Sequence, residues 1–296
     1  MQVRPRDLSP EAVDLRLMTE ADVLLADELR RIVGWNQRPT DWQRLLALEP
    51  KGCFVAVAGG NLIGTVTTTI YGTILAWIGM MLVHPEHRRK GIGTRLMKRA
   101  LEYLKERNVK CAKLDATPAG QPVYTRLGFI PEWTLQRWHR EFRSPISTEP
   151  PISPQTRKLR EEDWAQVIRI DAEAFGAPRP EVLRRLAQES RYKLVWPAEG
   201  TVLGFGMVRT GATSNYLGPL VCAQGAGFNM LLSNFLAVEH DQGVTWDIPD
   251  HNQSAKSAAI HYGFKPVRPL IRMRLGSAAD AINPETLFGI ADPAVG

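Results

Sequence analysis

The chain has 296 residues, of which 44% are hydrophobic and 23% are charged, so it can bury the core of one large domain or of two ordinary ones. No uninterrupted apolar run reaches membrane-spanning length, which argues against an integral membrane protein. The 37 basic and 31 acidic residues give a formal charge of +6, which favours polyanionic partners without separating a nucleotide cofactor from a nucleic acid.

The cysteines and the N-terminal stretch indicate the compartment. Cys53, Cys111 and Cys222 are odd in number and stand in apolar surroundings, which favours buried, reduced thiols over a disulfide or a nucleophile. The opening MQVRPRDLSP lacks the apolar segment of a signal peptide. We therefore expect a soluble, cytoplasmic protein that does not bind membranes.

A proline-rich segment divides the chain into two similar halves. Residues 144–156, SPISTEPPISPQT, hold four prolines and no periodicity, and they are the best linker candidate between residues 1–143 and 157–296. Each half opens with a short strand that runs into an acidic helix start, RLMTEADV at 16–23 in the first and RKLREEDW at 157–164 in the second. This match suggests that one αβ domain was duplicated.

Glycines at corresponding positions further along the two halves also match. Gly64 corresponds to Gly204, Gly79 to Gly218 and Gly128 to Gly263, and the spacing between the two members of a pair shrinks only slightly along the chain. The alternative is chance similarity between two αβ domains, because a single Gly-Phe pair is a weak anchor. The small and gradual drift in the spacing favours duplication.

A glycine loop follows the apolar strand WIGMMLVHP in the first half. The pattern predicts a strand meander, a helix from Gly91 to Glu106 and a further strand from Val109 to Ala116. The segment RRKGIGT, residues 88–94, then lies where a strand passes into a helix. A helix start offers free backbone N–H groups and a positive dipole end, which suits an anionic ligand.

Three phosphate-binding patterns compete for this loop. A P-loop requires lysine after the glycines, whereas Lys90 precedes them, and a dinucleotide fingerprint requires a glycine where Leu96 stands. The third pattern, Arg/Gln-x-x-Gly-x-Gly/Ala, is met by Arg88, Gly91 and Gly93. The loop, the strand before it, the helix TRLMKRALEYLKE, the strand AKLDAT and the closing YTRLGF together resemble the GNAT superfamily of N-acetyltransferases over residues 77–129.

The resemblance implies a fold and a cofactor site. The fold class is α/β (α+β), with two tandem GNAT-like domains that each hold a mixed, mostly antiparallel sheet flanked by helices. The second domain resembles the degenerate C-terminal domain of tandem GNAT proteins. The co-substrate is acetyl-CoA, and the expected coenzyme A residues are Leu82, Val83, Arg88, Arg89, Lys90, Gly91, Ile92, Gly93 and Thr94. The alternative is a solvated cationic turn, but cations at a helix start oppose its dipole unless an anion lies between them.

Two residues are candidates for the chemistry. Family members often use a tyrosine four residues before the Gly-Phe turn to protonate the leaving thiolate, and Tyr124 stands there; packing as a core phenol is the alternative. The amine must lose a proton before it attacks. Asp115 is the candidate acceptor of that proton, although a capping or loop-bracing role is equally compatible with its position.

The acceptor pocket is harder to assign from the sequence. In the first half GWNQRPTDW, residues 34–42, offers Trp35, Asp41 and Trp42, and helix packing or capping is the alternative. In the second half the carboxylates Asp171, Glu173 and Asp247 could bind the ammonium group of a substrate, with solvation or capping as the alternative. Asp247 is the strongest of these candidates because Trp246 and Ile248 flank it.

The second half lacks the groups that hold coenzyme A. No basic residue occurs between Arg209 and His240, and Ala259 stands where the first half has Tyr124. We expect a non-catalytic domain that helps to form the acceptor site.

The resemblance to the GNAT superfamily thus implies an N-acetyltransferase that moves an acetyl group directly to an amine, without an acyl-enzyme, and we expect that amine to be a primary amine of a small molecule. The alternative is a non-catalytic acetyl-CoA sensor or protein-interaction module. We expect no nucleic-acid partner, a monomer or homodimer, and no metal, because His84 and His87 lack further ligands at metal-binding spacing.

Overall fold

The computed structural model of the protein describes residues 13–141, 155–238, 242–277 and 283–296. The chain divides into two compact units, Met1–Ala112 and Lys113–Gly296. No helix in the described ranges is long and apolar enough to cross a membrane. The predicted linker at 144–156 lies outside the described residues except for its last two positions, and the division into domains 1–143 and 157–296 stays a prediction.

The first unit is an antiparallel sheet covered by helices. The sheet order is β1-β2-β3-β4. Helices α1 and α2 pack on β3, and α3 packs on β2, β3 and β4. The elements are β1 (Asp14–Leu17), α1 (Val23–Ile32), α2 (Pro39–Leu48), β2 (Phe54–Ala58), β3 (Asn61–Tyr71), β4 (Leu75–Val83) and α3 (Ile92–Glu106).

The second unit holds a longer sheet with the order β5-β12-β6-β11-β10-β9-β8-β7, and β13 lies beside β10. Its paired strands run antiparallel where the register is defined, except for the parallel pair β10–β11. The elements are β5 (Cys111–Ala116), which starts just before the unit, α4 (Gln121–Arg126), β6 (Ile130–Arg140), β7 (Arg157–Lys158), α5 (Trp164–Phe175), α6 (Pro180–Glu189), β8 (Ser190–Trp196), β9 (Gly204–Arg209), β10 (Asn215–Cys222), α7 (Gly225–Ala237), β11 (Val244–Pro249), α8 (Gln253–His261), β12 (Lys265–Gly276) and β13 (Leu287–Gly289).

The predicted fold class is confirmed, since the chain forms mixed, mostly antiparallel sheets flanked by helices. The helix predicted from Gly91 begins one residue later, at Ile92, and the strand predicted from Val109 begins at Cys111. All three cysteines are buried and none of them forms a disulfide, as expected from their surroundings. The tail segment LFG forms strand β13.

The repeat is visible in matching side-chain contacts at the start of each half. Asp22 accepts a hydrogen bond from the backbone N–H of Thr19 (2.8 Å) and pairs with Arg16. Asp163, the matching residue of the second half, accepts from the N–H of Arg160 (2.7 Å) and pairs with Arg157. An equivalent carboxylate therefore organises both helix starts, which supports duplication.

The turn before the last strand of each half repeats as well. Gly128 and Gly263 adopt left-handed backbone angles, with φ of 90° and 78°. The N–H of Phe129 donates to the carbonyl oxygen of Tyr124 (3.1 Å), and the N–H of Phe264 donates to that of Ala259 (2.9 Å). Both phenylalanine rings are buried. The match of Gly128 with Gly263 in the sequence is thus also a structural equivalence.

The last strands of the two halves are exchanged. Strand β6 closes the first half of the sequence, yet it lies between β12 and β11 of the second half. Strand β12 closes the second half, and it lies beside β5 of the first. Leu135 and Leu270, which follow Gly128 and Gly263 at the same distance, face each other in the β6–β12 pair. An approximate two-fold relation therefore passes through this point of the sheet.

Candidate active site

Strand β4 carries a bulge shortly before the predicted cofactor loop. Thr65 faces Leu82 and Thr67 faces Gly79, so β4 holds one extra residue between these pairs. Met80 lies at the bulge with φ of 47°, and its carbonyl oxygen accepts a hydrogen bond from the Thr65 hydroxyl (2.7 Å). A bulge removes main-chain groups from the regular ladder. Met80 and Met81 thus leave the regular pairing with β3, which resumes at Leu82 and Val83 opposite Thr65 and Gly64.

The loop after β4 presents three cations without acidic partners among the described residues. Arg88 and Arg89 are exposed, Lys90 is half-buried, and the Nε of Arg88 donates to the Val83 carbonyl oxygen (3.1 Å). Arg89 and Gly91 both adopt left-handed angles, with φ of 62° and 79°. Turns of this kind point successive backbone N–H groups toward one concave surface.

The start of helix α3 is open. No side chain caps it, and its first turn contains no acidic residue. The first helical bond runs from the N–H of Arg95 to the Gly91 carbonyl oxygen (3.0 Å), so the N–H groups of Ile92, Gly93 and Thr94 come before it. A Cβ at Gly93 would lie 3.1 Å from the Met81 side chain. Free amides, a positive dipole end and three unpaired cations fit a polyphosphate anion.

Tyr124 lies on the short helix α4. Its ring is half-buried and meets Phe129 edge-on at 6.1 Å between centroids. Gly120 leaves room for the ring, since a Cβ there would lie 3.1 Å from Tyr124. Burial raises the pKa of the phenol to about 12, and its hydroxyl has no hydrogen-bond partner among the described residues. The phenol is therefore protonated at neutral pH and able to donate.

Asp115 is fully buried at the end of β5. Its two oxygens accept from Nε and Nη2 of Arg272 on β12, both at 2.9 Å. Arg272 stacks on the ring of Trp133, with 4.2 Å from the guanidinium carbon to the ring centroid. Burial raises the pKa of Asp115, and the charge of Arg272 acts in the opposite direction. Asp115 thus connects β5 to β12. It is also a titratable group that precedes α4, the helix of Tyr124, by only a few residues.

Asp247 occupies the equivalent place on β11. It accepts from Nε (2.8 Å) and Nη2 (2.6 Å) of Arg137 on β6 and from the hydroxyl of Tyr216 (2.9 Å). Burial opposes the charge of Arg137, but Asp247 outweighs it and raises the pKa of Arg137. Arg137 and Arg272 are equivalent, because they follow Gly128 and Gly263 at the same distance. Each half therefore contributes an aspartate that pairs with the arginine on the other half's last strand.

The other predicted acceptor residues lie in separate surroundings. Trp35 is half-buried, and Asp41 accepts from the backbone N–H of Arg38 (2.7 Å) and pairs with Arg44. Asp171 is buried against Arg179, with contacts of 2.7 and 3.0 Å. Glu173 is exposed and pairs with Arg169. Both oxygens of Asp171 and of Asp247 are thus engaged by arginine, and their predicted contact with an ammonium group stays a prediction.

The second half builds its bulge differently. Gly218 and Pro219 interrupt the register of β10, whereas Met80 and Met81 interrupt that of β4, and proline has no N–H to donate. Strand β10 pairs with β11 through residues 215–217 and with β13 beyond them, so the tail fills the gap where β10 and β11 separate. A Cβ at Gly218 would collide with the carbonyl oxygen of Ile290. The gap between β10 and β11 is therefore filled by the segment that contains β13 and Ile290.

A cavity of about 450 Å³ lies at the start of α7, the counterpart in the second half of the predicted cofactor loop. It is lined by Cys222, Ala223, Gly225, His251, Asn252, Gln253, Ser254, Asn283, Glu285, Thr286 and Phe288. No lysine or arginine is among these residues, and Glu285 adds a negative charge. A cavity of this kind does not fit a polyphosphate.

The sequence analysis does not identify the residues around Asp115 and Asp247, which are Arg137, Arg272, Trp133, Tyr216 and Arg268. A signal was present for the first two. The segments LQRWHR and LIRMRL place an arginine at the same distance after each Gly-Phe turn. A repeated charge in an otherwise apolar strand indicates a buried partner.

Two family models match the chain. The Acetyltransferase (GNAT) family matches residues 23–129, and an Acetyltransferase (GNAT) domain matches residues 167–289. Each half therefore carries its own match.

Relatives match across most of their length. An "Uncharacterized N-acetyltransferase YitH" from Bacillus subtilis is 24% identical over 78% of this chain and 80% of its own. A "Holothin acyltransferase" from a Pseudoalteromonas species is 24% identical over 82% and 81%. A putative acetyltransferase from Pyrococcus horikoshii has the same fold, with a TM-score of 0.82, 24% identity and full coverage of both chains.

A tandem GNAT protein from the clavulanic acid biosynthesis pathway also shares the fold, with a TM-score of 0.63, 16% identity and coverage of 91% of this chain and all of its own. The chain belongs to the GNAT family of acetyltransferases and carries two domains of that family in tandem.

Proposed function

We propose that this protein is an acetyl-CoA-dependent N-acetyltransferase that acts on a primary amine of a small molecule. The observation that carries the proposal is the open start of α3, where three cations without acidic partners among the described residues precede free backbone N–H groups. The family match supports acetyl-CoA as the ligand of that anion site. A solvated cationic turn would have no reason to leave the helix uncapped.

The loop and the strand before it hold the co-substrate. The amides of Ile92, Gly93 and Thr94 bind the diphosphate, and Arg88, Arg89 and Lys90 neutralise its charge. Gly91 turns the chain into the helix. The main chain of Leu82 and Val83, directly after the bulge at Met80 and Met81, holds the thioester arm.

The reaction is a direct acyl transfer. The amine reaches the thioester carbonyl in its neutral form, since an alkylamine has a pKa of about 10.4 and its ammonium form has no lone pair. The C–N bond forms as the C–S bond breaks, the nitrogen loses its proton to a base or water, and the thiolate takes a proton. Tyr124 supplies the proton to sulfur, because burial keeps its hydroxyl protonated. Asp115 is the candidate proton acceptor.

The second domain is non-catalytic and contributes to acceptor binding. Pro219, the β13 segment and the lack of a lysine or arginine among the residues that line the cavity at α7 all argue against a second coenzyme A site. Asp171, Glu173 and Asp247 from this half, and Trp35 and Asp41 from the first, are the candidate acceptor residues. We keep the cytoplasm as the proposed location and a monomer or homodimer as the proposed assembly.

Two measurements test the proposal. Calorimetry with desulfo-CoA at low ionic strength should show one site per chain, and an amine library with acetyl-CoA should release free thiol with at least one amine. Absence of heat would remove the cofactor site. Heat without thiol release from any amine would favour the alternative, an acetyl-CoA sensor without turnover.

A further inference from the structure

Arg268 on β12 is an arginine without a partner. It is half-buried, and its guanidinium makes no hydrogen bond or ion pair with any described residue. Burial and the nearby charge of Arg137 lower its pKa to about 10, although the charge of Asp247 acts in the opposite direction. Arginine side chains removed from water are normally paired, because an uncompensated buried charge is costly. This position is therefore an exception that requires a reason.

The two-fold relation of the exchanged strands identifies the residue of the first half that is equivalent to Arg268. In the β6–β12 pair, Trp133 faces Arg272 and Arg268 faces Arg137. By the spacing that relates Gly128 to Gly263, Arg272 is the equivalent of Arg137, and Arg268 is the equivalent of Trp133. On one side of the axis an aromatic ring therefore stacks on the paired arginine, and on the other side a second arginine faces it.

The arginine at position 268, in place of the tryptophan found at position 133, is unfavourable for the stability of the protein without a ligand. A stacked tryptophan stabilises a guanidinium, whereas like charges directly opposite on neighbouring strands repel each other. Arg137 uses only its Nε and Nη2 for Asp247, so it keeps further donors. Two guanidinium groups with unused donors thus face each other across one strand pair. An anion between them would remove the repulsion and accept from both.

The charge balance of this cluster agrees. Asp247 forms an ion pair with Arg137, and Asp115 forms one with Arg272. Arg268 feels the charge of Asp247 but forms no ion pair with any described residue. Two pairs are complete, and one positive charge remains. We propose that Arg268, together with the free donors of Arg137, binds a carboxylate group on the acceptor, so that the acceptor is an amine that also carries a carboxylate.

A carboxylate fits this place better than other anions. It is planar and has two oxygens, and it can therefore accept from two guanidinium forks in one plane. The single unpaired charge matches one monoanionic group. The inference deepens the proposed N-acetyltransferase function and rests on it. The ligand would be an amino acid or another small amino carboxylate.

Matched amines give the first test. Each pair consists of an amino acid and its decarboxylated amine: leucine with isoamylamine, phenylalanine with phenethylamine, and tryptophan with tryptamine. With acetyl-CoA and thiol detection, we expect the carboxylate to improve kcat/KM in at least one pair by about tenfold to a hundredfold, the range for one charged hydrogen-bonded contact. Equal turnover of both members in every pair that reacts would overturn the inference and leave the proposed function intact.

Variants assign the effect to Arg268. Arg268→Met should raise KM for the carboxylate member about tenfold or more with little change in kcat, and leave the decarboxylated amine unaffected. Arg268→Trp copies the Trp133 side, so it should lose the same preference while the protein becomes more stable to urea. Lys265→Met removes an exposed cation from the same strand and should change neither constant. If Arg268→Met keeps the preference, the assignment is wrong.

A binding test separates this inference from the proposed function. Phenylglyoxal labels accessible arginines that lack partners, and peptide mapping by mass spectrometry reads each site. Arg268 should react before Arg137 and Arg272, and leucine, phenylalanine or tryptophan should protect it where their decarboxylated amines do not. If no amine in the pairs is acetylated, protection by an amino acid still supports the carboxylate site, and absence of protection overturns it. Protection without any kinetic preference in reacting pairs would overturn its assignment to the acceptor.

Discussion

Strands β4 and β10 each contain one bulge that interrupts the pairing with the preceding strand, and the residues at the two bulges differ. In β4 the bulge falls at Met80, which keeps a backbone N–H, and the loop that follows contains three cations before an uncapped helix. In β10 the bulge holds Pro219, the tail pairs with the strand beyond it, and the residues that line the corresponding cavity include no lysine or arginine. The two halves therefore keep one backbone plan and differ in the cations and free backbone N–H groups that could contact an anion.

The comparison shows which parts of the repeat are required for folding. The helix-start carboxylates Asp22 and Asp163 and the left-handed glycines before the last strands are present in both halves. These features satisfy backbone groups and make turns, so both halves need them. The cations have no acidic partner in the described part of the protein, and the only hydrogen bond that their side chains make there runs from Arg88 to the Val83 carbonyl oxygen. Their presence in one half and absence from the other is what a ligand site predicts.

The largest expected effect concerns the exchanged ion pairs. Arg272→Met and Arg137→Met each leave a buried aspartate without its cation, which costs about 3 to 5 kcal/mol of unfolding free energy in urea. Arg272→Met should cost about 1 kcal/mol more, because it also loses the stacking on Trp133, whereas Arg137→Met relieves the repulsion from Arg268.

The exposed pair Arg169–Glu173 supplies the control for these two variants. Arg169→Met should change the unfolding free energy by less than about 1 kcal/mol, since both side chains lie in solvent. A larger loss for Arg137→Met than for Arg272→Met would contradict the asymmetry that we infer from the two-fold relation.

The next effect concerns the cations that distinguish the halves. Replacing Arg88, Arg89 and Lys90 together by alanine should weaken desulfo-CoA binding by about a thousandfold in calorimetry, because several charged hydrogen bonds to phosphate disappear. The slope of affinity against salt should also fall. The control triple replaces the exposed residues Lys51, Lys98 and Lys105 by alanine and lowers the net charge equally. If both triples weaken binding to the same degree, the loop is not the diphosphate site.

Tyr124 and its counterpart Ala259 differ in the same way. Tyr124→Phe should lower kcat about a hundredfold, as expected for loss of a general acid, and leave the affinity for desulfo-CoA within about twofold. The hydroxyl makes no hydrogen bond within the described residues, so the variant should unfold at the same urea concentration as the parent. Unchanged turnover would remove Tyr124 from the mechanism.

Much of this arrangement could be predicted from the sequence, because it depends on local patterns. The loop, helix α3, the Gly-Phe turns and the duplication all follow from residues that are close in the chain. The exchanged strands could not be predicted. Strands β6 and β12 are copies of one element, so their pattern fits a place beside β5 and a place beside β11 equally well.

The buried ion pairs could not be predicted either, because they depend on which strands are neighbours in the sheet. Asp115 and Arg272 are 157 residues apart, and Asp247 and Arg137 are 110 residues apart. Asp115 and Asp247 were recognised as unusual carboxylates, but their partners depend on which strand lies beside them. Once the exchange is known, the arginines that repeat after each Gly-Phe turn identify both pairs.

The smallest effect tests the feature that both halves share. Arg16 and the backbone N–H of Thr19 hold the pKa of Asp22 down at about 2, and Arg157 and the N–H of Arg160 likewise lower the pKa of Asp163. Since these folded-state pKa values lie below the ordinary value of 3.8, the contribution to stability is present above that value and is lost as the pH falls toward the folded pKa. Asp22→Asn and Asp163→Asn should each cost about 1 kcal/mol at neutral pH.

The pH dependence and the exposure of the partners sharpen this last comparison. The side chain of Arg16 is 43% exposed and that of Arg157 is 18% exposed, so water weakens the first pair more and Asp163→Asn should cost more than Asp22→Asn. Urea unfolding from neutral pH down to about pH 3 should show each variant approaching the parent, because the carboxylate of the unfolded parent chain takes up a proton in this range before that of the folded one does. A gap that stays constant over this range would mean that the carboxylates act only as uncharged hydrogen-bond acceptors for the helix starts, and that the paired arginines contribute nothing to either half.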